Sequence, residues 1–177
     1  MGACAASAFD AAYYAETNPD VAAACGTDEA SLLRHYLSSG QAEGRKPSAR
    51  GKAGDSLKLT NEQIALVWSP VPLKDLANYK SLKKKMTDEQ YQAAYQEAVN
   101  LVLPVALSSR EEQLTYIAAA LRERFDSGMS YSMDADHYND PYGYFVLGSA
   151  SCAGCTRATG LCLNCLLYTS PSPRDMR

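Results

Sequence analysis

What the chain has little of narrows the reading first. No stretch approaches the roughly 20 consecutive apolar residues that a membrane-crossing helix requires, so no membrane span is expected. Positive charge is not in excess: the formal net charge is −3 and the pI about 5.4, which supplies no general attraction for nucleic acid, and none is expected as a partner. The single basic run, Lys83-Lys84-Lys85, reads as a solvated helix end or loop rather than a phosphate contact. Histidine is scarce, with only His35 and His137 in 177 residues. What remains, 46% hydrophobic and 21% charged residues, is the composition of a soluble globular protein with room for one domain, or for a small module and part of a larger one.

Residues 1–8 are small and apolar. Ala6-Ser7-Ala8 has the form of a signal-cleavage site without the basic and apolar regions that precede one, so 1–8 is read as a signal-peptide remnant or a flexible terminus. Residues 9–48 then form a unit. Asn18-Pro19 starts a helix, with Asn as cap and Pro at the first helical position; Thr27 or Asp28 caps another, with Leu32, Leu33, Tyr36 and Leu37 on one stripe; Gly26 and Gly40 sit where helices stop. His35, followed by an aromatic on an amphipathic helix, reads as a packed structural histidine. The pattern Phe9-Asp10-x-x-Tyr13-Tyr14, Asn18-Pro19-Asp20-Val21, His35-Tyr36, Gly40, Glu43-Gly44-Arg45 resembles a short helical repeat of bacterial cell-surface and secreted proteins. The resemblance implies attachment to a cell wall or surface, and a secreted or surface location, rather than chemistry.

Residues 49–56 are linker-like in composition, and residues 57–164 are assigned to a second domain. Three capping boxes open three helices: Thr60-Asn61-Glu62-Gln63, Thr87-Asp88-Glu89-Gln90 and Ser109-Arg110-Glu111-Glu112. The expected buried stripes are Ile64, Leu66, Val67 and Trp68; then Tyr91, Ala94, Tyr95, Ala98 and Val102; then Leu114, Ile117, Ala118, Leu121 and Phe125. Residues 131–144 read as a loop, with a short strand at Tyr144-Phe145-Val146. The fold class expected is mainly α.

The last residues stand apart. Cys165-Leu166-Leu167-Tyr168-Thr169-Ser170-Pro171-Ser172-Pro173-Arg174-Asp175 back-translates codon for codon into a transposase-type sequencing adapter. Residues 165–177 are therefore expected to be a non-native tail outside the second domain. This bears on the cysteines. Cys152-x-x-Cys155 and Cys162-x-x-Cys165 have the look of a four-thiolate zinc site, yet the fourth cysteine belongs to that tail and the gap between pairs is short for a zinc ribbon. No metal and no cofactor are expected.

Position offers another reading of the cluster. Ser149 or Ser151 caps a helix that places Cys152 at its first turn, where backbone N–H groups and the helix dipole favour a thiolate. Gly154 lets a substrate or another backbone approach. Cys155, Thr159 and Cys162, at helical spacing, are read as a buried face. Cys152 is the candidate nucleophile; its alternative is a buried structural thiol. The string Cys152-x-Gly154-x-x-Arg157-Ala158 resembles the nucleophile motif of bacterial transglutaminase-like cysteine enzymes, departing from it at Cys155 and Thr156. Residues 108–113, the helix ending Arg122-Glu123-Arg124-Phe125, and Tyr131-Ser132 are similar to the family's preceding helix and its exit. The resemblance implies a papain-like α+β fold of which residues 57–164 are the helical N-terminal part, with an antiparallel sheet carrying the histidine and then the aspartate C-terminal to the cysteine. It implies acyl transfer on protein or peptide amides, ending in crosslinking or hydrolysis. His137, which precedes the cysteine and sits among Asp134, Asp136 and Asp140, suits an exposed loop better than the role of base.

Two further functions compete with the enzyme. One is a non-catalytic surface adhesion or interaction protein, favoured by a downstream sequence lacking the histidine and aspartate strands. The other is a thiol redox protein using Cys152 and Cys155, which the helical N-terminal half does not support, because a thioredoxin-type pair follows a strand of a βαβ unit.

Overall fold

In the computed structural model, residues 7–166 are described. Helix accounts for 61% and strand for 4%, so the chain is mainly α. It divides into two compact units, Met1–Val67 and Trp68–Arg177.

The first unit contains α1 (Ala11–Thr17), α2 (Pro19–Cys25), α3 (Glu29–His35) and α4 (Asn61–Val67). Seven-residue helices are too short to persist alone, and each is held by caps and by one aromatic core. Asp10 accepts from Tyr13 N and Asp28 from Ser31 N. Pro19 opens α2 as expected, but the Asn18 side chain does not cap it: Nδ2 donates back to Tyr14 O and Oδ1 accepts from Arg45. Phe9, Tyr14 and Tyr36 pack with ring centroids 5.4–5.9 Å apart, above Val21, Leu32 and Leu33. Burying each of the two leucines contributes about 2 kcal/mol. Leu37, expected on the same stripe, is 38% exposed. After His35 the chain widens into a π turn, Tyr36–Gly40, and the extra residue per turn rotates Leu37 off the buried face.

The repeat-like pattern is spent on this core. Tyr14 Oη lies 3.0 Å from His35 Nδ1. Arg45 donates to Asn18 Oδ1, to both carboxylate oxygens of Asp20 and to Glu43, and the Arg45 hydrogen bond holds the Asp20 carboxyl below its ordinary range. His35 is thus the packed, hydrogen-bonded residue anticipated. The unit also runs further than residues 9–48. Leu57, Leu59 and Val67 pack on its core, and residues 49–56 are tied down rather than free: Ser7 N donates to Ser56 O, Gly54 N to Arg45 O and Tyr36 Oη to Asp55 O.

The second unit contains α5 (Tyr79–Lys83), α6 (Asp88–Val102), α7 (Arg110–Asp126), β1 (Ser130–Tyr131), β2 (Ser149–Ala150) and α8 (Cys152–Leu166). All three capping boxes form, with Thr60 and Gln63, Thr87 and Gln90, and Ser109 and Glu112 exchanging bonds reciprocally. Helix α6 buries the five residues expected of it and packs against α7 and α8. Helix α7 buries only Ile117 and Leu121, leaving Leu114 45% exposed; in the first unit Leu66 is likewise 42% exposed. Lys83, the first residue of the basic run, pairs with Asp88 and lies over the Tyr79 ring. β1 and β2 pair in parallel, Ser130 with Ser149 and Tyr131 with Ala150.

Two expectations are corrected here. Residues 144–146 are not a strand but lie in a π turn, Gly143–Leu147. Asp140 and Pro141 start it as a cap and a first helical residue: Asp140 Oδ1 accepts from Tyr142 N and Gly143 N. Second, Cys165 and Leu166 are not outside the fold. Both are helical and buried, and Cys165 O accepts from Val71 N. They continue the apolar stripe of Leu161 and Cys162 by one turn; the rest of the adapter-like tail, 167–177, lies outside the described residues, as do residues 1–6.

Gly40 shows how tightly the first core closes. A Cβ there would stand 2.3 Å from Tyr14 Oη and 3.3 Å from the Tyr36 ring. Gly40→Ala is expected to destabilise the first unit by about 2 kcal/mol, and by clearly less in a Tyr14→Phe background, where the obstructing hydroxyl is gone. Urea unfolding of the four proteins of this cycle measures the coupling; equal costs in both backgrounds would refute the close contact.

Candidate functional site

Cys152 is the first residue of the 15-residue helix α8, directly after β2, and it is exposed. Ser151 is buried at the helix start: its Oγ accepts from Gly154 N, its carbonyl from Cys155 N, and its own N–H donates to Tyr138 O at 2.7 Å. Ser151, rather than Ser149, is therefore the cap. The Cys152 thiol has no hydrogen-bond partner among the described residues, and its N–H, one of the orphan donors of a helix start, has no acceptor among them.

The loop 137–143 is seated on this first turn. A Cβ on Gly154 would lie 2.5 Å from Tyr138 O, so the close approach at Gly154 is made by backbone rather than by a substrate. Arg157 donates to Asn139 O. Asp140, 2% exposed, anchors the loop: Oδ2 meets His137 Nδ1 at 2.7 Å while Oδ1 takes the two N–H groups already described. His137 Nε2 lies 3.1 Å from Gln90 Nε2. Because Gln90 Oε1 is occupied by Thr87 N, the amide must donate, which makes His137 Nε2 the acceptor and Nδ1–H the donor to Asp140. His137 also holds a left-handed backbone, φ 58°, that a non-glycine residue keeps only where its surroundings impose it. Gly143 supplies that: a Cβ there would stand 2.1 Å from His137 O.

These contacts decide what His137 can do. At about 100° per residue, Gly154 and Arg157 lie within about 60° of each other around α8, and Cys152 lies about 160° from Gly154. The loop bearing His137 thus covers the side of the helix turned away from Cys152, and both ring nitrogens are engaged elsewhere. The structure does not bring the two residues together. Nor is His137 in an exposed, unattached loop; it bridges the α6 capping box to the buried Asp140. Asp140 and Gly143 were not identified as site-building residues from the sequence, although Asp140-Pro141 carries the same helix-start signature as Asn18-Pro19.

The remaining thiols differ from Cys152 in burial. Cys155 is partly buried and burial pushes its thiol up; Cys162 is pushed further up, and Cys165 to about 12, by the same cause. The face in contact with the core is Gly154, Ala158, Leu161, Cys162 and Cys165, so Cys155 and Thr159 lie on its margin and not at its centre as expected. The two C-x-x-C pairs occupy opposite ends of one helix, Cys152 and Cys162 about 15 Å apart along its axis, whereas thiolates sharing one zinc stand about 4 Å apart. No group of three or more metal-ligating side chains occurs among the described residues. A cavity of 510 Å³ in this unit is lined by Leu107, Leu114, Gly160, Leu163 and Leu166, toward the far end of α8, and Cys152 does not line it. In the first unit a groove of 820 Å³ is lined by Asp10, Glu29, Arg50, Lys52 and Asp55, but its three carboxylates already accept from Tyr13 N, Gln63, Ser7 and Lys52 N.

Two measurements check this geometry. Asp140→Ala should destabilise the second unit by about 3 kcal/mol, since three donors lose their acceptor, while His137→Ala should leave the rate of Cys152 alkylation by iodoacetamide within about twofold. A tenfold fall in that rate would make His137 a base for the thiol after all. The reduced protein should hold no stoichiometric cobalt(II); a tetrathiolate absorption band would show that the helix opens to gather its cysteines. No family model matches the chain, and no curated protein and no solved structure shows significant similarity to it.

Proposed function

We propose that the chain is the N-terminal part of a secreted or cell-surface cysteine enzyme of the transglutaminase-like, papain-like kind, in which Cys152 is the acyl-accepting nucleophile and the first unit serves attachment. The observation that carries the reading is the placement of Cys152: exposed, first in a long helix and capped by a buried serine. An accessible thiol there lies beside the unpaired backbone N–H groups of a helix start. In this reading the Cys152 thiolate attacks the carbonyl of a protein or peptide amide, and the Cys152 N–H stabilises the oxyanion. The leaving amine takes a proton from a histidine, and the thioester passes to a second amine or to water. Histidine and its orienting carboxylate come from the sequence C-terminal to α8, since His137 is committed to Gln90 and Asp140.

Transamidation of casein with a fluorescent amine, and hydrolysis of a small amide, test this. The 177-residue chain should show no Cys152-dependent turnover. The protein carrying the downstream coding sequence in place of 165–177 should turn over substrate, and Cys152→Ala should lower that rate by about 10³ or more. Turnover by the extended protein that survives Cys152→Ala would refute the nucleophile. An extended protein without turnover, whose added strands lack a histidine and an aspartate, would refute the enzyme in favour of a surface binding protein.

A further inference from the structure

Cys152 has a neighbour that the acyl-transfer reading leaves unused. Cys155 lies one turn on, at i+3, on the same side of α8, where Cβ atoms stand about 5–6 Å apart; a disulfide needs about 3.5–4.5 Å. Closing the difference is easiest at a helix start. Cys152 N–H has no intrahelical bond to break, and Ala153 and Gly154, the two residues between, include one without a side chain. Accessibility is graded along the pair: Cys152 is exposed and Cys155 partly so. The other three described cysteines are elsewhere: Cys25 is in the first unit, and Cys162 and Cys165 are buried two and more turns along α8.

We propose that Cys152 and Cys155 form a reversible intramolecular disulfide with a small-molecule disulfide as oxidant, a modification that closes the exposed thiol. The Cys152 thiolate attacks one sulfur of oxidised glutathione, forming a mixed disulfide and releasing one glutathione thiolate, which takes up a proton. Cys155, having given its proton to water, then attacks Cys152 Sγ; the bond to glutathione breaks and the second glutathione leaves as thiol. Two protein thiols are oxidised and one glutathione disulfide is reduced to two thiols. The bond itself needs only the geometry of α8. Its consequence, that the oxidised protein is inactive until reduced, rests on the nucleophile reading above.

The test treats the native full chain with oxidised glutathione at pH 8, blocks residual thiols, and maps the products after trypsin. Cleavage at Arg124 and Arg157 isolates residues 125–157, which hold Cys152 and Cys155 and no other cysteine. The expected product is that peptide lacking two hydrogens and carrying neither glutathione nor blocking group; in Cys155→Ser it should instead carry one glutathione on Cys152. A wild-type peptide that retains glutathione on Cys152 with Cys155 free, that links to another cysteine peptide, or that stays fully reduced would overturn the proposal. Closure of the disulfide in an extended protein whose activity is indifferent to Cys152→Ala would uphold it while the nucleophile reading fails.

Discussion

The site-bearing turn of the second unit depends on one buried carboxylate. Asp140 is a charged group removed almost wholly from water, which is tolerable only because it is fully engaged. One oxygen takes the imidazole N–H of His137; the other takes two backbone N–H groups at the start of the Gly143–Leu147 turn. The loop that this clamps presents Tyr138 O to Ser151 N and Asn139 O to Arg157. Ser151 is thereby fixed as the helix cap, and with it the position of Cys152. Remove the carboxylate and each of these contacts loses the geometry that produces it. The exposed thiol owes its placement to a residue that never touches it.

The first unit closes by a parallel logic with different chemistry. Many of its conspicuous motif residues are bonded to one another: aromatic rings on aromatic rings, Tyr14 on His35, Arg45 on Asn18, Asp20 and Glu43. Gly40 is required because the Tyr14 hydroxyl already occupies the place of its side chain. A sequence pattern of this kind reports the needs of a core built from four seven-residue helices.

Much of this was legible in the sequence where the signal is local. Each capping box is a four-residue statement about one helix start, and all three form. The stripe of α6 was legible because that helix is packed by both α7 and α8. Stripes failed where tertiary context intervened: Leu114 and Leu66 lie on apolar faces that the described residues leave exposed, and Leu37 is displaced by a π turn whose extra residue no hydrophobic period announces. The run 144–146 looked like a strand because Tyr, Phe and Val favour one; the cap at Asp140 and the bonds from Tyr144 Oη to Leu121 O and from Arg124 to Phe145 O prevail over that propensity. The helix start at Cys152 was legible and the clamp at Asp140 was not, because a cap has its partners nearby in sequence, whereas the clamp joins α6, the loop and α8.

The geometry of α8 also restricts how a complete catalytic group would be assembled. The helix has three occupied sides near its start: Gly154 against the loop, Arg157 beside it, and Ala158 with Cys162 in the core. Cys152 faces the one direction that these leave open. In the proposed reading a base for its thiol approaches from that direction, and the Cys152 N–H, which has no acceptor among the described residues, marks where the oxyanion would lie. Cys155 borders the same opening. Anything that covers this face meets two thiols together, so in the proposed reading shielding the pair from oxidants and building the active site are a single packing event.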